Sequence, residues 1–130
     1  GSTDWFWGSM VTYANKAKHD ILGVSDEVLS TVGPVSFECA IAMAEGALSR
    51  SGASIAISTT GYAGPTGKEV GLVWFGFAAK GKESQAVGLR FTTYGRESIR
   101  RRACVASCIL AVRYLDGVRL LDTTNTWQYI

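Results

Sequence analysis

Residues 70–79, VGLVWFGFAA, decide the fold class of this chain. Large apolar side chains occupy even and odd positions of the stretch alike, among them Trp74, Phe75 and Phe77. Because successive side chains of a strand point to opposite faces of a sheet, this strand is apolar on both faces. Strands of that kind lie in the middle of a sheet, with helices packed above and below. The stretch therefore predicts a central strand between two helical layers.

Shorter strands are predicted on either side of the central strand. Residues 53–60 place Ile55 and Ile57 on one side, which is typical of a strand. Residues 85–93 alternate apolar and polar side chains and follow the central strand closely, which predicts a hairpin. Residues 10–13 form a further short run of apolar and β-branched side chains that we expect to be a strand feeding directly into a helix.

Apolar side chains at helical spacing predict four helices, and capping residues mark their ends. Strands that alternate with helices favour an α/β fold, and the two-sided central strand specifies a three-layer α/β/α sandwich with a mixed β-sheet. The helices run from Asn15, as N-cap, to Leu22; from a cap at Ser25 or Asp26 to near Gly33; from Ser36 to Gly52; and from about Arg96 to Leu115.

The composition predicts one globular domain. Of 130 residues, 47% are hydrophobic and 18% charged, which is enough apolar material for a real core. We assign residues 1–116 to this domain and 117–130 to a C-terminal tail without a clear period. The net charge of +2 argues against a nucleic-acid partner. No stretch is long and apolar enough for a membrane span and no signal peptide is evident, so a cytoplasmic location is expected.

The cysteines and the single histidine give no support for a metal site. The chain has three cysteines and one histidine, none at metal-ligand spacing. We expect the cysteines to be buried thiols of a reducing compartment and His19 to point to solvent. The aromatic run at residues 5–7, WFW, is expected to be core or a subunit contact rather than a platform for stacking bases.

Two polar segments that follow apolar runs are the first candidates for a ligand site. Residues 11–18 are VTYANKAK and residues 58–65 are STTGYAGP. Lys18 lies in the first turn of the helix from Asn15, where the helix dipole and burial lower the pKa of a lysine. Such an amine can act as general base for a hydroxyl nucleophile, with Tyr13 to orient it or pass a proton. A solvated lysine and a merely packed tyrosine are the alternatives.

The second segment continues into a glycine-rich loop. Gly61, Gly64 and Gly67 let backbone N–H groups approach an anion or a developing oxyanion, and Thr59 and Thr60 add hydroxyl groups. No GK[ST] sequence follows, so the loop is not a Walker loop. A plain connection between two strands is the alternative.

Four arginines near the start of the last helix form a third candidate. Arg96, Arg100, Arg101 and Arg102 sit against the helix dipole, which costs a little stability and suggests an anionic ligand. Arg96 and Arg100 are one turn apart and can face the same phosphate. The alternative is a solvated basic end that Glu97 partly neutralises.

Together these blocks resemble the C-terminal domain of the CinA family, the nicotinamide mononucleotide deamidases. Residues 1–6, GSTDWF, with 11–18 and with 22–24, LGV, are similar to the family block "GSS-WF…VTYSNEAK…LGV". The resemblance covers residues 1 to about 115. Further matching blocks are 33–36 (GPVS), 43–47 (MAEGA), 60–65 (TGYAGP), 70–74 (VGLVW) and 95–100 (GRESIR).

The resemblance implies an α/β/α domain, commonly dimeric, that hydrolyses the carboxamide of nicotinamide mononucleotide to nicotinate mononucleotide and ammonia. It implies a serine nucleophile with a lysine base. From the residues themselves we expect no metal, no nucleic-acid partner and no membrane, and we expect no cofactor. By position, the resemblance makes Lys18 and Tyr13 catalytic, Thr60 and Gly61 neighbours of the amide and oxyanion, Arg96 and Arg100 ligands of the phosphate, and Asn15 and Gly64 further substrate-binding residues.

One departure from the family concerns the nucleophile. In the family it lies in a strand-to-helix turn of the type ESCTGG, upstream of the first matching block, and nothing in this chain matches that turn. We therefore expect the domain to lack its first strand and helix and to be incomplete at its N-terminus. Ser2, Ser9, Ser58 and Thr60 are conceivable substitutes, but none lies in a comparable motif. A partner segment, a swapped subunit or residues 117–130 would then cover the exposed sheet edge.

Three functional hypotheses follow. The first is an amidase-type hydrolase domain that keeps its pocket but is impaired because the serine motif is absent. The second is a non-catalytic module that binds pyridine nucleotides or serves assembly. The third is a working hydrolase with a relocated nucleophile.

Overall fold

The computed structural model describes residues 1–91 and 95–120. Within them it contains four helices and one three-stranded sheet. The helices are α1 (Asn15–Leu22), α2 (Asp26–Thr31), α3 (Phe37–Ser51) and α4 (Arg96–Leu115), and the strands are β1 (Ile55–Gly61), β2 (Leu72–Ala79) and β3 (Gln85–Arg90).

β2 is the central strand, as predicted, with β1 and β3 on its two sides. Both pairings are antiparallel; Ser58 faces Gly76 in the first, and Val73 faces Leu89 in the second. The predicted hairpin of β2 and β3 is therefore confirmed. We expected a mixed sheet, whereas every strand pair that the described residues form is antiparallel, because β2 is joined to each neighbour by a direct return of the chain.

Helices cover both faces of the sheet, which confirms the α/β sandwich. On one face, Phe75 and Phe77 of β2 are fully buried in a core that α4 completes with Leu110 and Tyr114. The ring of Tyr114 packs on Phe77 at 5.7 Å between centroids, and the Tyr114 hydroxyl donates to the carbonyl of Glu83. α3 packs on the opposite face, against β1 and β2.

Two glycines bring backbone segments into close contact. A Cβ on Gly76 would come within 2.1 Å of the Ala40 carbonyl oxygen, so the absence of a side chain lets α3 lie directly on β2. A Cβ on Gly46 would come within 1.9 Å of the Leu22 carbonyl oxygen, so the end of α1 rests on α3 in the same way. α1 is thereby held against α3, on the side of the sheet opposite α4.

The predicted helix ends are largely confirmed. Ser25 and Ser36 are N-caps whose hydroxyl oxygens accept the backbone N–H of the residue three positions on. Gly23 and Gly52 end α1 and α3 in the left-handed conformation. The prediction that Asn15 caps α1 is wrong. Ala14 is the N-cap and no side chain accepts a hydrogen bond there, since α1 begins at Asn15 itself.

Two strand predictions need correction. Residues 10–13 form no strand and pair with no other strand among the described residues. In β1, the buried side chains are Ser58 and Thr60, while Ile57 is 42% exposed. The polar face of β1 is the one under α3, where hydroxyl groups find carbonyl partners.

Part of the predicted sequence organisation lies outside the described residues. This holds for residues 92–93, at the end of the strand predicted over 85–93, and for 121–130, most of the predicted tail. Leu120, which is described, is fully buried in the α4 core, and its N–H is bonded to the Gln85 side chain. Over the described part of the chain, we find no helix with the length and apolar character that a membrane crossing requires.

Candidate functional site

Lys18 is a buried lysine near the start of α1. Its side chain is only 6% exposed, so the alternative of a solvated lysine is wrong. The amine Nζ donates to the carbonyl oxygens of Thr12 at 2.8 Å and Tyr13 at 3.0 Å. The backbone N–H of Lys18 is bonded to the carbonyl of Ala14, which places the residue in the first turn of the helix.

Two backbone carbonyl groups are the hydrogen-bond partners of the buried Lys18 amine. An amine nitrogen makes up to three hydrogen bonds, and the described residues supply acceptors for two. Lys18 forms no ion pair within the described part of the chain. Lys18 acts electrostatically on Cys39 of α3: burial raises the pKa of the Cys39 thiol, and the charge of Lys18 lowers it to a smaller extent. The Lys18 nitrogen therefore keeps hydrogen-bonding capacity that these two carbonyl groups do not use.

Tyr13 contacts Lys18 through its backbone rather than its phenol. The Tyr13 side chain is 89% exposed, and its carbonyl oxygen accepts from the lysine. The extended segment before α1 thus orients the amine through two successive carbonyl groups. The alternative of a merely packed tyrosine is wrong, because the side chain is exposed, and a catalytic role of the Tyr13 phenol stays a prediction.

A small cavity lies between β1, the glycine-rich loop and the first half of α4. Its volume is about 130 Å³. Three of the predicted substrate-binding residues line it: Thr60 and Gly61, which are adjacent in the sequence, and Arg100, about forty positions later. The lining residues are Thr59, Thr60, Gly61, Ala63, Val73, Ile99, Arg100 and Ala103.

Hydrogen bonds fix the walls of this cavity. The Thr60 hydroxyl donates to the carbonyl of Pro34 at 2.6 Å, so this side chain points toward α3 while its main chain borders the cavity. Gly61 has no room for a side chain, because a Cβ there would lie 2.7 Å from the Leu72 carbonyl oxygen. Arg96 donates from its guanidinium to the carbonyl of Gly64 at 2.9 Å, which ties the loop to α4.

Asn15 lies elsewhere, in a larger open groove of about 570 Å³ between α1 and α2. Its neighbours there include Lys16 and Asp20, which pair with each other, and His19. The His19 Nδ1 lies 2.9 Å from the carbonyl oxygen of Val24. The prediction that His19 simply points to solvent is therefore incomplete, and sequence reasoning did not identify this groove at all.

The structure therefore groups the predicted site residues in three places. Thr60, Gly61 and Arg100 share the cavity, and Arg96 and Gly64 are bonded to each other beside it. Lys18 is buried next to α3, and the Thr60 hydroxyl is bonded to Pro34 in the segment that precedes this helix. Lys18 is not among the residues that line the cavity.

The expectation of three buried cysteines is correct only for Cys39. Cys104 and Cys108 are exposed on α4. They lie on the outer side of the helix, because its inner side is taken by Ala106 and Leu110. No group of three or more potential metal-ligating side chains occurs in residues 1–91 and 95–120.

Comparison with protein families gives a match over most of the chain. The family described as CinA C-terminal domain matches residues 1–115. A protein named nicotinamide-nucleotide amidohydrolase PncC, from Enterobacter agglomerans, is 44% identical over 118 residues, covering 87% of this chain and 71% of the relative. A CinA-like protein from a Nostoc species is 40% identical over 129 residues, covering 88% of this chain and 30% of the relative.

Solved structures give the same result for the fold. The competence/damage inducible protein CihA from Agrobacterium tumefaciens superposes with a TM-score of 0.73 at 41% identity, over 76% of this chain and 62% of that one. A competence-damaged protein (CinA) superfamily structure from Klebsiella pneumoniae gives 0.72 at 34% identity, over 78% of this chain and 66% of that one. The chain thus spans slightly less than two thirds of these solved structures.

Proposed function

Because this chain belongs to the CinA C-terminal domain family, we propose that it forms the part of a nicotinamide-nucleotide amidohydrolase that carries the base and binds the nucleotide. The reaction breaks the carboxamide C–N bond of nicotinamide mononucleotide with water and yields nicotinate mononucleotide and ammonia. One observation carries the proposal: the Lys18 amine is buried, oriented by two carbonyl groups and unpaired with any carboxylate of the described residues.

In this proposal Lys18 is the general base. The nitrogen takes the proton of a serine hydroxyl as the oxygen attacks the amide carbon, and passes it to the amide nitrogen, which leaves as ammonia. Water then attacks the acyl-serine ester, its proton passes through Lys18 to the serine oxygen, and nicotinate mononucleotide is released. The carbonyls of Thr12 and Tyr13 keep the amine in one orientation through these transfers. Burial excludes water, which strengthens the electrostatic contacts that the reaction needs.

The cavity beside α4 is proposed to hold the rest of the substrate. Backbone N–H groups of the loop at Gly61 and Gly64 are the proposed donors to the amide oxygen, where negative charge develops. The guanidinium groups of Arg96 and Arg100 are the proposed partners of the phosphate. The volume of about 130 Å³ is smaller than a nucleotide, so the ligand would extend from the cavity across the open surface.

The activity expected of the 130 residues by themselves depends on whether they contain the serine nucleophile. They contain no ESCTGG-like turn, the motif in which the family resemblance places the serine. We propose that they bind nicotinamide mononucleotide with little turnover, and that a strand–turn–helix segment bearing this serine restores hydrolysis. The competing non-catalytic module predicts binding in both cases and hydrolysis in neither.

Parallel assays of binding and chemistry test the proposal. Calorimetry measures binding of nicotinamide mononucleotide, and a coupled assay measures ammonia, each with and without a peptide that supplies the serine-bearing segment. Ammonia release that appears with the peptide and disappears in Lys18→Ala supports the amidohydrolase, with Lys16→Ala as the matched exposed control. Binding that persists without ammonia under every condition supports the module. Ammonia release by the chain alone, abolished in Lys18→Ala, would instead support a relocated nucleophile.

We further propose a cytoplasmic homo-oligomer that requires no cofactor. Trp5, Phe6 and Trp7 are 79%, 57% and 59% exposed, so they are not core of the described structure. Three large aromatic side chains exposed together are typical of a protein–protein contact. Of the two roles expected for residues 5–7, core or subunit contact, their exposure favours the subunit contact.

A further inference from the structure

We propose that Cys104 and Cys108 form a solvent-facing dithiol that binds thiophilic atoms able to accept two thiolates, such as trivalent arsenic or Hg(II). Both residues belong to α4, both are exposed, and neither is in a disulfide. They are four positions apart, so their side chains project from one face of the helix with Cβ atoms about 5–6 Å apart.

This spacing favours a bridging atom over a direct disulfide. A disulfide needs Cβ atoms within about 3.5–4.5 Å, closer than a regular helix places residues four apart. α4 is a continuous helix over Arg96–Leu115, held on the sheet by the buried Ala106 and Leu110, so it resists local distortion between the two cysteines. A central atom with two bonds to sulfur, each about 2.3 Å as in zinc sites, spans the wider gap.

The surroundings of the pair restrict which atom it can hold. Structural zinc takes four protein ligands, and no cluster of three or more His, Cys, Asp or Glu side chains is found in the described residues. Val105 and Val112, exposed next to the thiols, contribute no further ligand. Soft atoms that are satisfied by two thiolates therefore fit this site better than zinc.

Phenylarsine oxide is the probe, because its reaction with a dithiol involves no oxidant or reductant. Two S–H bonds break and two As–S bonds form, while the oxygen leaves arsenic as water together with the two thiol protons. Arsenic stays trivalent throughout. The mass of the chain rises by one phenylarsenic group minus two hydrogens, which mass spectrometry reads directly.

The experiment titrates the full chain with this probe under reducing conditions and follows the mass of the folded protein. We expect one arsenical per chain. Cys104→Ser and Cys108→Ser should each weaken binding by roughly 10²- to 10⁴-fold, since the second As–S bond is no longer intramolecular. Cys39→Ala should bind like the native chain, because Cys39 is fully buried.

A matched variant separates chelation from mere thiol reactivity. Cys108→Ser combined with Val112→Cys keeps two exposed thiols on the same face of α4, but about 12 Å apart along the axis. It should react twice with a monofunctional maleimide and yet bind the arsenical as weakly as Cys108→Ser. Native affinity in this variant, or in either single serine variant with an unchanged circular dichroism spectrum, overturns the proposal. Failure of the native chain to bind the probe also overturns it.

Discussion

The Arg96 guanidinium donates to the carbonyl oxygen of Gly64 at 2.9 Å and so joins the start of α4 to the glycine-rich loop. Arg100, one turn further along the helix, lines the cavity that this loop borders. Arg96 is thus bonded to the loop backbone, whereas Arg100 borders the cavity. Arg96 already has a partner in the protein, which makes Arg100 the better candidate for the phosphate.

Arg100→Ala should weaken binding of nicotinamide mononucleotide by roughly 10- to 100-fold. A loss of this size is expected when the charged hydrogen bonds from one guanidinium to the phosphate are removed. Binding of nicotinamide riboside, which lacks the phosphate, should be unchanged. Calorimetry with both ligands measures the difference. Arg101→Ala, next in sequence and not part of the cavity lining, is the control. Equal losses for both ligands would contradict a phosphate contact.

Lys18→Met should lower the free energy of unfolding by about 1–3 kcal/mol, because it leaves the buried carbonyl of Thr12 and the partly buried carbonyl of Tyr13 without their donor. In the assay with the serine-bearing peptide it should also abolish ammonia release. Urea denaturation and the ammonia assay measure the two effects. Lys16→Met, on the exposed side of the same helix, should change neither. A stable, active Lys18→Met protein would refute the role of the amine.

Gly46→Ala sets two effects against each other. Alanine favours the helix by about 1 kcal/mol over glycine. The new Cβ would lie 1.9 Å from the Leu22 carbonyl oxygen, so α1 must move, and overpacking of this kind costs about 1–3 kcal/mol. Because the contact is with backbone, we expect net destabilisation and a lower Tm. Ser49→Ala, at an exposed position of α3, should leave the Tm unchanged or slightly raised. The same Tm change in Gly46→Ala would show that α1 moves away from the new Cβ without a loss of stability.

The stability of the protein should fall in alkaline solution. Burial raises the pKa of the Cys39 thiol above its ordinary value of 9.0, so the folded state holds this proton more tightly than the unfolded state. The contribution to stability is complete below pH 9 and is lost as the pH rises toward the folded-state pKa, by up to about 1.4 kcal/mol per pH unit.

Denaturation curves at several pH values check this dependence, with Cys39→Ala expected to show a shallower slope. Burial also raises the pKa of Tyr114, so Tyr114→Phe is measured in parallel to remove its share. An identical slope in native protein and in Cys39→Ala would exclude the thiol as the cause.

Replacement of Trp5, Phe6 and Trp7 by serine should shift the protein to a smaller species in light scattering, if these exposed rings form the subunit contact. The fold itself should persist, because the three rings belong neither to the core between α4 and the sheet nor to the smaller buried cluster of Leu22, Val24, Cys39 and Met43. Thermal denaturation at low concentration serves as the control. An unchanged mass would place the contact elsewhere or indicate a monomer.

The elements with a local cause were predictable. Ser25, Ser36 and the glycines after α1 and α3 mark helix ends through hydrogen bonds and conformations that involve only neighbouring residues. The central strand was predictable because a strand with large apolar side chains on both faces is buried only when helices cover both faces of the sheet. Residues 10–13 were assigned wrongly to a strand, because a short apolar run has the same local preference whether or not a partner strand lies beside it.

The candidate site was predictable in its residue types but not in its arrangement. Lys18 was identified by its place in the first turn of α1, yet its burial depends on the packing of α1 against α3. The helical spacing of Ile99, Ala103, Ala106 and Leu110 indicated the face of α4 that meets the sheet. Cys104 and Cys108 were nevertheless expected to be buried, because free cysteines usually are, although they lie off that face.

The sequence by itself determined the family, the order of the helices and strands that the structure describes, and the residue types available for chemistry, since these follow from local preferences and motif spacing. Only the tertiary structure decided which distant residues meet. It gathered Thr60, Gly61 and Arg100 around one cavity, turned the Thr60 hydroxyl toward Pro34 and left the outer face of α4 open to solvent. Those outcomes depend on how close two backbones can approach, and no local pattern encodes that distance.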